Sequence, residues 1–294
     1  MKILLTGASG MLGTEITNQL INEPNVELYA FTSRIDSIKT TGDNLFLHRN
    51  EDLEKIVKEK SINCIIHCSF SRSMLVDDLE DSLFFGENVL KTAVKYNVQQ
   101  VINVSSRSIY GQNKNIPWNE MSNVDLNTPY ATAKYKSEEI GKKFNCEKTR
   151  VFSLRLAGLL SEEFSQRLPN KMIKYGLKNR KLRVVGGEQQ FSYLDIKDAA
   201  NGIIKFAFSN KEYGQIFNFG PEKYFTILEM SKMIACTLSE MMKIDIEVEH
   251  VKSEIQLYDN MDSNRFYDVT QWHPQIELKD TIKRIANYIY EEEQ

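Results

Sequence analysis

Apolar residues recur along the first 155 positions in two alternating rhythms. Short, nearly continuous apolar runs at KILLT (2–6), VELYAF (26–31), NLFLH (44–48), INCIIHC (62–68), QVINVS (100–105) and RVFSLRL (150–156) have the length and composition of buried strands. Between them, positions 11–22, 50–60, 78–97 and 130–145 repeat apolar residues at the period of amphipathic helices. Such alternation builds βαβ units. The pattern predicts an α/β fold: a doubly wound parallel sheet with helices on both faces.

Beyond position 156 the rhythm loosens. Helices are expected at 166–178, 196–208, 226–240 and 278–292, with isolated strands at 182–186, 214–220 and 244–251. The chain therefore divides, on expectation, into a dinucleotide-binding domain over 1–160 and a smaller mixed α/β substrate lobe over 161–294, some of whose elements return to the first domain. In the closing helix, Ile282, Ile285, Tyr288 and Ile289 fall at helical spacing and read as a core-facing stripe.

Charge narrows the partners. With 37 Lys and Arg against 40 Asp and Glu, the net charge is −3, and no long basic run offers a field that attracts a polyanion. Nucleic acid is not expected as a partner. No apolar run approaches the ~18 residues of a membrane helix, and Met1 leads straight into the first strand without a leader pattern, so the expected location is cytoplasmic. Cys64, Cys68, Cys146 and Cys236 are too sparse for a disulfide framework and read as reduced core or near-core thiols. His48, His67, His250 and His273 form no metal-ligand spacing, so no metal is expected.

The chemistry begins in the turn after the first strand. In LLTGASGMLG (4–13), Gly7, Gly10 and Gly13 stand in a GxxGxxG spacing between a strand and a helix. Such glycines allow a tight turn, close backbone approach to a pyrophosphate and close helix packing, while the helix N-terminus presents free N–H groups to the anion. The expected fold is therefore Rossmann-like. An acid at the end of the second strand would select NAD through the ribose 2′-hydroxyl. Here the strand ends in Thr32, Ser33 and Arg34, which leans toward NADP, although Asp36 is close by.

Ser105 and Ser106 end the strand VINVSS at the sheet edge where ligands bind in open α/β folds. Further on, PYATAK places Tyr130 four residues before Lys134 at the start of an amphipathic helix. Residues so spaced share a helix face and are commonly mere packing neighbours, so spacing by itself leaves a catalytic and a structural reading open.

TGASGMLG, VSSRSIYG and PYATAK nevertheless occur in one order, and with these motifs the chain resembles the extended short-chain dehydrogenases/reductases, the nucleotide-sugar epimerase/dehydratase family, over nearly its whole length. Segments around Asn88, Arg155, Asp198 and Asn218 resemble weaker landmarks of that family. The resemblance implies that Tyr130 is the general acid/base and that Lys134 lowers its pKa and holds the nicotinamide ribose. It also implies that Ser106, four residues before Tyr110, positions the reacting oxygen. The cofactor, NADP or NAD, is then expected to meet Gly7, Ser9, Gly10, Met11, Leu12, Gly13, Thr32, Ser33, Arg34, Cys68, Ser69, Phe70, Asn88, Tyr130 and Lys134.

The resemblance further implies a nucleotide-sugar 4-epimerase, with two alternatives: an NADP-dependent keto-sugar-nucleotide reductase, or an idle protein of the same fold that senses NADP(H). Dehydration is disfavoured because Arg107 and Ser108 stand where the family's dehydratases carry an Asp-Glu pair. Phe191 and Gly158 replace an Arg and an Asn that commonly contact the substrate pyrophosphate, leaving Arg72, Arg167 and Arg183 as candidates for that contact. A homodimer through the 78–97 and 130–145 helices is plausible on the same resemblance.

Overall fold

The computed structural model describes residues 1–209, 215–254 and 257–292. In chain order the first half forms β1 (Lys2–Thr6), α1 (Met11–Leu20), β2 (Glu27–Phe31), β3 (Leu45–His48), α2 (Leu53–Lys60), β4 (Cys64–His67), α3 (Val76–Lys95), β5 (Gln100–Ser106), α4 (Pro129–Phe144) and β6 (Arg150–Leu156). Then follow β7 (Gly158–Leu160), α5 (Leu168–Asn179), β8 (Lys181–Val185), β9 (Gln190–Phe191), β10 (Tyr193–Asp195), α6 (Ile196–Phe208) and β11 (Ile216–Phe219). The last part holds β12 (Phe225–Thr226), α7 (Ile227–Met242), β13 (Glu247–Val251), α8 (Asn264–Thr270) and α9 (Leu278–Glu292).

The six strands expected before position 156 all lie in one sheet, in the order β11-β6-β5-β4-β1-β2-β3, every neighbouring pair parallel. Strands β1, β2 and β4, inside the sheet, are almost wholly apolar because both faces are covered. The direction of winding reverses between β1 and β4, and at such a switch point the carboxyl ends of the strands open a crevice. The turns after β1, β4, β5 and β6 all empty into it.

The later segment contributes to this sheet as well as to a lobe of its own. β11 is its seventh strand; position 214, where that strand was expected to start, lies outside the described residues. α6 packs on α1, and Phe206, Phe217, Phe219, Phe266 and Trp272 extend the main core. A separate cluster joins α5, β8, α7 and α9 around Ile173, Leu182, Ile234 and Ile285.

Two readings are corrected. Cys146 and Cys236 are exposed rather than near the core, each on the outward side of a helix or turn. Tyr288, placed on the apolar stripe of α9, is 40% exposed, whereas Ile282 and Ile285 are fully buried. Among the described residues no helix is long and apolar enough to cross a membrane.

Candidate functional site

One wall of the crevice is the turn from β1 into α1. Gly7 has φ +72°, and a Cβ there would stand 2.8 Å from the Ser69 nitrogen and 2.9 Å from the Cys68 carbonyl carbon. A Cβ on Gly13 would meet the Gly7 oxygen at 2.1 Å, so that glycine lets α1 lie against the turn. Gly10 has no such excuse: its backbone is extended, and only the Gly7 oxygen, at 3.2 Å, is near its would-be Cβ. Gly10 also caps α1 without any side-chain hydrogen bond, leaving first-turn N–H groups for an anion. The open side of the cradle and its free donors fit a dinucleotide pyrophosphate.

At the end of β2, Thr32 is buried and its hydroxyl meets that of Ser9 at 2.6 Å and accepts the Arg34 N–H at 3.0 Å. Arg34 donates from its guanidinium to the Ser9 carbonyl at 3.4 Å. Ser9, Arg34, Ser37 and Lys39 line one groove beside the glycine turn. Asp36 is absent from that lining. His67, at the end of β4, is buried against the Thr6 hydroxyl at 2.7 Å, and burial pushes its pKa down to about 3.

The other wall is built by β5 and α4. Thr128 caps α4, its hydroxyl accepting the Ala131 N–H at 3.1 Å, and Pro129 occupies the first turn. This fixed start sets Tyr130 and Lys134 one turn apart on the face toward β5. The alternation of β5 decides between the two serines: Ser105 turns under α4 and donates to Glu138 at 2.5 Å, so Ser106 turns to the cleft. There the Ser106 hydroxyl lines the cleft with the Tyr130 phenol, whose pKa it lowers, and accepts the Ser108 N–H at 3.1 Å.

Burial raises the Tyr130 pKa, and the charges of Arg72 and Arg167, with the Ser106 hydroxyl, act to lower it. Lys134 is buried, donates to the Val104 carbonyl at 2.7 Å, and holds its ammonium 3.8 Å from the centroid of the Phe70 ring and 5.9 Å from that of Tyr130. Burial pushes its pKa down to about 7. Beside it, burial raises the Cys68 thiol to about 12.

A buried network underpins this wall. Arg155 of β6 forks onto Glu138 of α4 at 2.8 to 3.2 Å and donates to the Tyr110 hydroxyl at 2.8 Å, which in turn donates to Asn218 of β11 at 2.7 Å. Glu138 lies one turn after Lys134, so the pair clamps the helix that carries both site residues.

The cleft between the walls, about 450 Å³, is lined by Gly7, Gly10, Met11, Leu12 and Gly13 on one side and by Ser106, Tyr130 and Lys134 on the other. Cys68 and Phe70 line it too. Ser69 lies against Gly7 just behind the lining. Asn88 is not brought there: the inner face of α3 is marked by Leu79, Val89, Leu90 and Ala93, and Asn88 falls outside the lining. That helical phase, readable in the sequence, was the signal against it. Arg72 and Arg167 do line the cleft, whereas Arg183 is exposed on β8 and paired with Glu249 at 3.6 Å. The sequence reading missed Asp259, which is buried, accepts from Ser192 at 2.7 Å and pairs with Arg107 at 2.9 Å. The two partners are far apart in the chain, and no local pattern announces the contact.

Residues 3–220 match the sequence profile of the NAD dependent epimerase/dehydratase family. The chain belongs to that family. Its relatives include a putative UDP-glucose 4-epimerase of Methanocaldococcus jannaschii, 24% identical over 314 residues that cover 98% of each chain. The UDP-glucose 4-epimerase of Pisum sativum is 24% identical over 277 residues, 78% of this chain and 79% of the relative. Among solved structures, the fold is similar to the UDP-glucuronic acid 4-epimerase of Bacillus cereus in complex with NAD. Its TM-score is 0.82 at 19% identity, over 99% of this chain and 97% of that one. The UDP-glucose 4-epimerase of Thermotoga maritima with UDP-glucose gives a TM-score of 0.79 at 19% identity over the whole of both chains.

Proposed function

We propose that the chain is an NAD(P)-dependent 4-epimerase of nucleotide-activated sugars. The observation that carries this reading is the grouping of Tyr130, Ser106 and Lys134, the last one helical turn from Tyr130, with the open glycine cradle in the lining of one cleft. The family and the named activities of the relatives and fold neighbours support it.

Gly7, Gly10, Met11, Leu12 and Gly13 hold the dinucleotide pyrophosphate; Ser9, Thr32, Ser33 and Arg34 hold the adenosine end; Cys68, Ser69 and Phe70 border its middle; Tyr130 and Lys134 meet the nicotinamide ribose. The bound dinucleotide supplies a reversible hydride acceptor. Tyr130 takes the proton from the sugar hydroxyl and gives it back after the carbon has presented its other face. Ser106 holds the reacting oxygen in line with that phenol. The expectation that Lys134 lowers the pKa of the phenol is modified: Arg72, Ser106 and Arg167 are the groups that pull it down, while Lys134 faces the Val104 carbonyl and the Phe70 ring.

Arg34 and Lys39 beside Ser9, with no acid at the end of β2, favour a 2′-phosphate and therefore NADP. An exchangeable NADP(H) suits the second reading, a keto-sugar-nucleotide reductase. The exposed apolar side chains of α3, Val76 at 57% and Phe84 at 68%, support pairing of two copies through α3 and α4.

The deciding experiment incubates the purified protein with UDP-hexoses and UDP-hexuronates, each with NAD or NADP, and follows the anomeric proton signals. Interconversion of 4-epimers without net cofactor reduction is expected. Net oxidation of NADPH with a 4-keto substrate instead establishes the reductase, and binding of neither dinucleotide removes both.

A further inference from the structure

The cleft holds more positive charge than its own carboxylates balance. Arg72, between β4 and α3, and Arg167, just before α5, both bring their guanidiniums to the ring of Phe164, 5.0 and 5.6 Å from its centroid. Arg107 enters from the end of β5, directly after Ser106. Of the three, only Arg107 has a carboxylate, Asp259; among the described residues Arg72 and Arg167 have none. Like charges so gathered raise each other's energy, and the Arg167 pKa is lowered by burial and then by Arg72.

Two hydrogen-bond donors in the same lining are also buried and unanswered: the Arg167 Nε and the Ser108 hydroxyl. A buried donor without an acceptor is costly, which points to an acceptor that arrives with a ligand. The cofactor does not fill this need, because its phosphates belong to the glycine cradle and the Arg34 groove on the opposite side. The substrate side remains. Arg107 and Ser108 follow immediately after Ser106, which lines the cleft with Tyr130, and the charges of Arg72 and Arg167 reach the Tyr130 phenol. These donors therefore lie beside the place where Tyr130 meets the reacting hydroxyl.

We propose that Arg72, Arg107, Arg167 and Ser108 form a carboxylate subsite, so that the sugar is a nucleotide-activated hexuronic acid whose C5 carboxylate neighbours the reacting C4. This rests on the reading of the substrate as a nucleotide sugar. A carboxylate offers two oxygens to a fork of guanidinium N–H groups and a hydroxyl, whereas a hydroxymethyl group leaves those charges unanswered.

The test measures binding of UDP-glucuronate and UDP-glucose to the cofactor-saturated protein by titration calorimetry, in the wild type, Arg167→Met and the exposed-site variant Arg72→Met. The wild type is expected to prefer the uronate by about 10- to 100-fold, and each substitution to bring that ratio toward one. A wild-type ratio near one overturns the proposal. So does a substitution that weakens both ligands equally, which assigns the arginines to the pyrophosphate instead. If the preference stands but neither sugar is interconverted, the epimerase reading falls while the carboxylate subsite remains.

Discussion

Two arginines drawn inside the molecule have opposite surroundings. Arg155 meets a carboxylate fork, a phenol and a carbonyl, and although burial disfavours its charge, Glu138 outweighs that and holds its pKa above the usual range. Arg167 feels the charges of Arg72 and Arg107 and lies over an aromatic ring, its Nε is unanswered, and its pKa is lowered, chiefly by burial. The first charge is complete within the chain and fastens α4 to the sheet. The second becomes complete only when something binds. Self-sufficiency of a buried charge thus separates the scaffold from the site.

The largest effect belongs to the proton-transfer group. Tyr130→Phe keeps the ring against Phe70, 6.1 Å between centroids, but removes the hydroxyl. Turnover is expected to fall by about 10²–10⁴-fold, with dinucleotide affinity retained within a few-fold. Initial rates and cofactor titration check this together. Unchanged turnover would leave Tyr130 outside the chemistry.

The arginine pair comes next. Glu138→Ala strands the Arg155 charge in the core and is expected to cost about 3–5 kcal/mol in urea unfolding. Arg167→Met removes an uncompensated charge and is expected to leave stability equal to or above that of the wild type. Equal losses in the two variants would abolish the distinction between them.

The scaffold half of this division was more legible in the sequence than the site half. Six strands and the helices between them follow from short-range periodicity, and the Gly7–Gly13 turn, Ser106, Tyr130 and Lys134 are local patterns at strand ends and a helix start. The alternation of β5 even separates Ser106 from Ser105. By contrast β9 and β12 span two residues each and β7 and β10 three, too few to show a period. The Arg107–Asp259 pair and the meeting of Arg72 with Arg167 over Phe164 join segments distant in the chain. Such contacts follow from tertiary geometry, which no window of sequence contains.

Lys134 lies between the two categories, and pH distinguishes them. Its amine is pushed from 10.5 down to about 7 by burial. Between those values the unfolded chain carries a proton that the folded chain has released, so stability rises with pH across pH 7 to 10.5 and is flat with respect to this group below 7. The gain is at most about 1.4 kcal/mol per pH unit. Lys134→Met should lack it. Urea midpoints at pH 7, 8 and 9 are expected to climb in the wild type relative to the variant, and parallel profiles would show that the ammonium is fully accommodated in the fold.

The smallest effect probes the far end of the cofactor groove, where Arg34 is exposed and its guanidinium is answered, among the described residues, only by the Ser9 carbonyl at 3.4 Å. A weak, long contact of this kind resembles the Arg167 situation: the chain supplies a cation and leaves its partner to the ligand. For NADP that partner is the 2′-phosphate, and for NAD there is none. Solvent screens an exposed pair to about 1 kcal/mol, so Arg34→Ala is expected to weaken NADP by about 5- to 10-fold while leaving NAD within twofold. Fluorescence titration of both dinucleotides in both proteins reads the ratio directly. Should the wild type prefer NAD and the variant keep that preference, Arg34 is a solvated loop charge, and a buried environment is then required before an unanswered arginine marks a binding site in this fold.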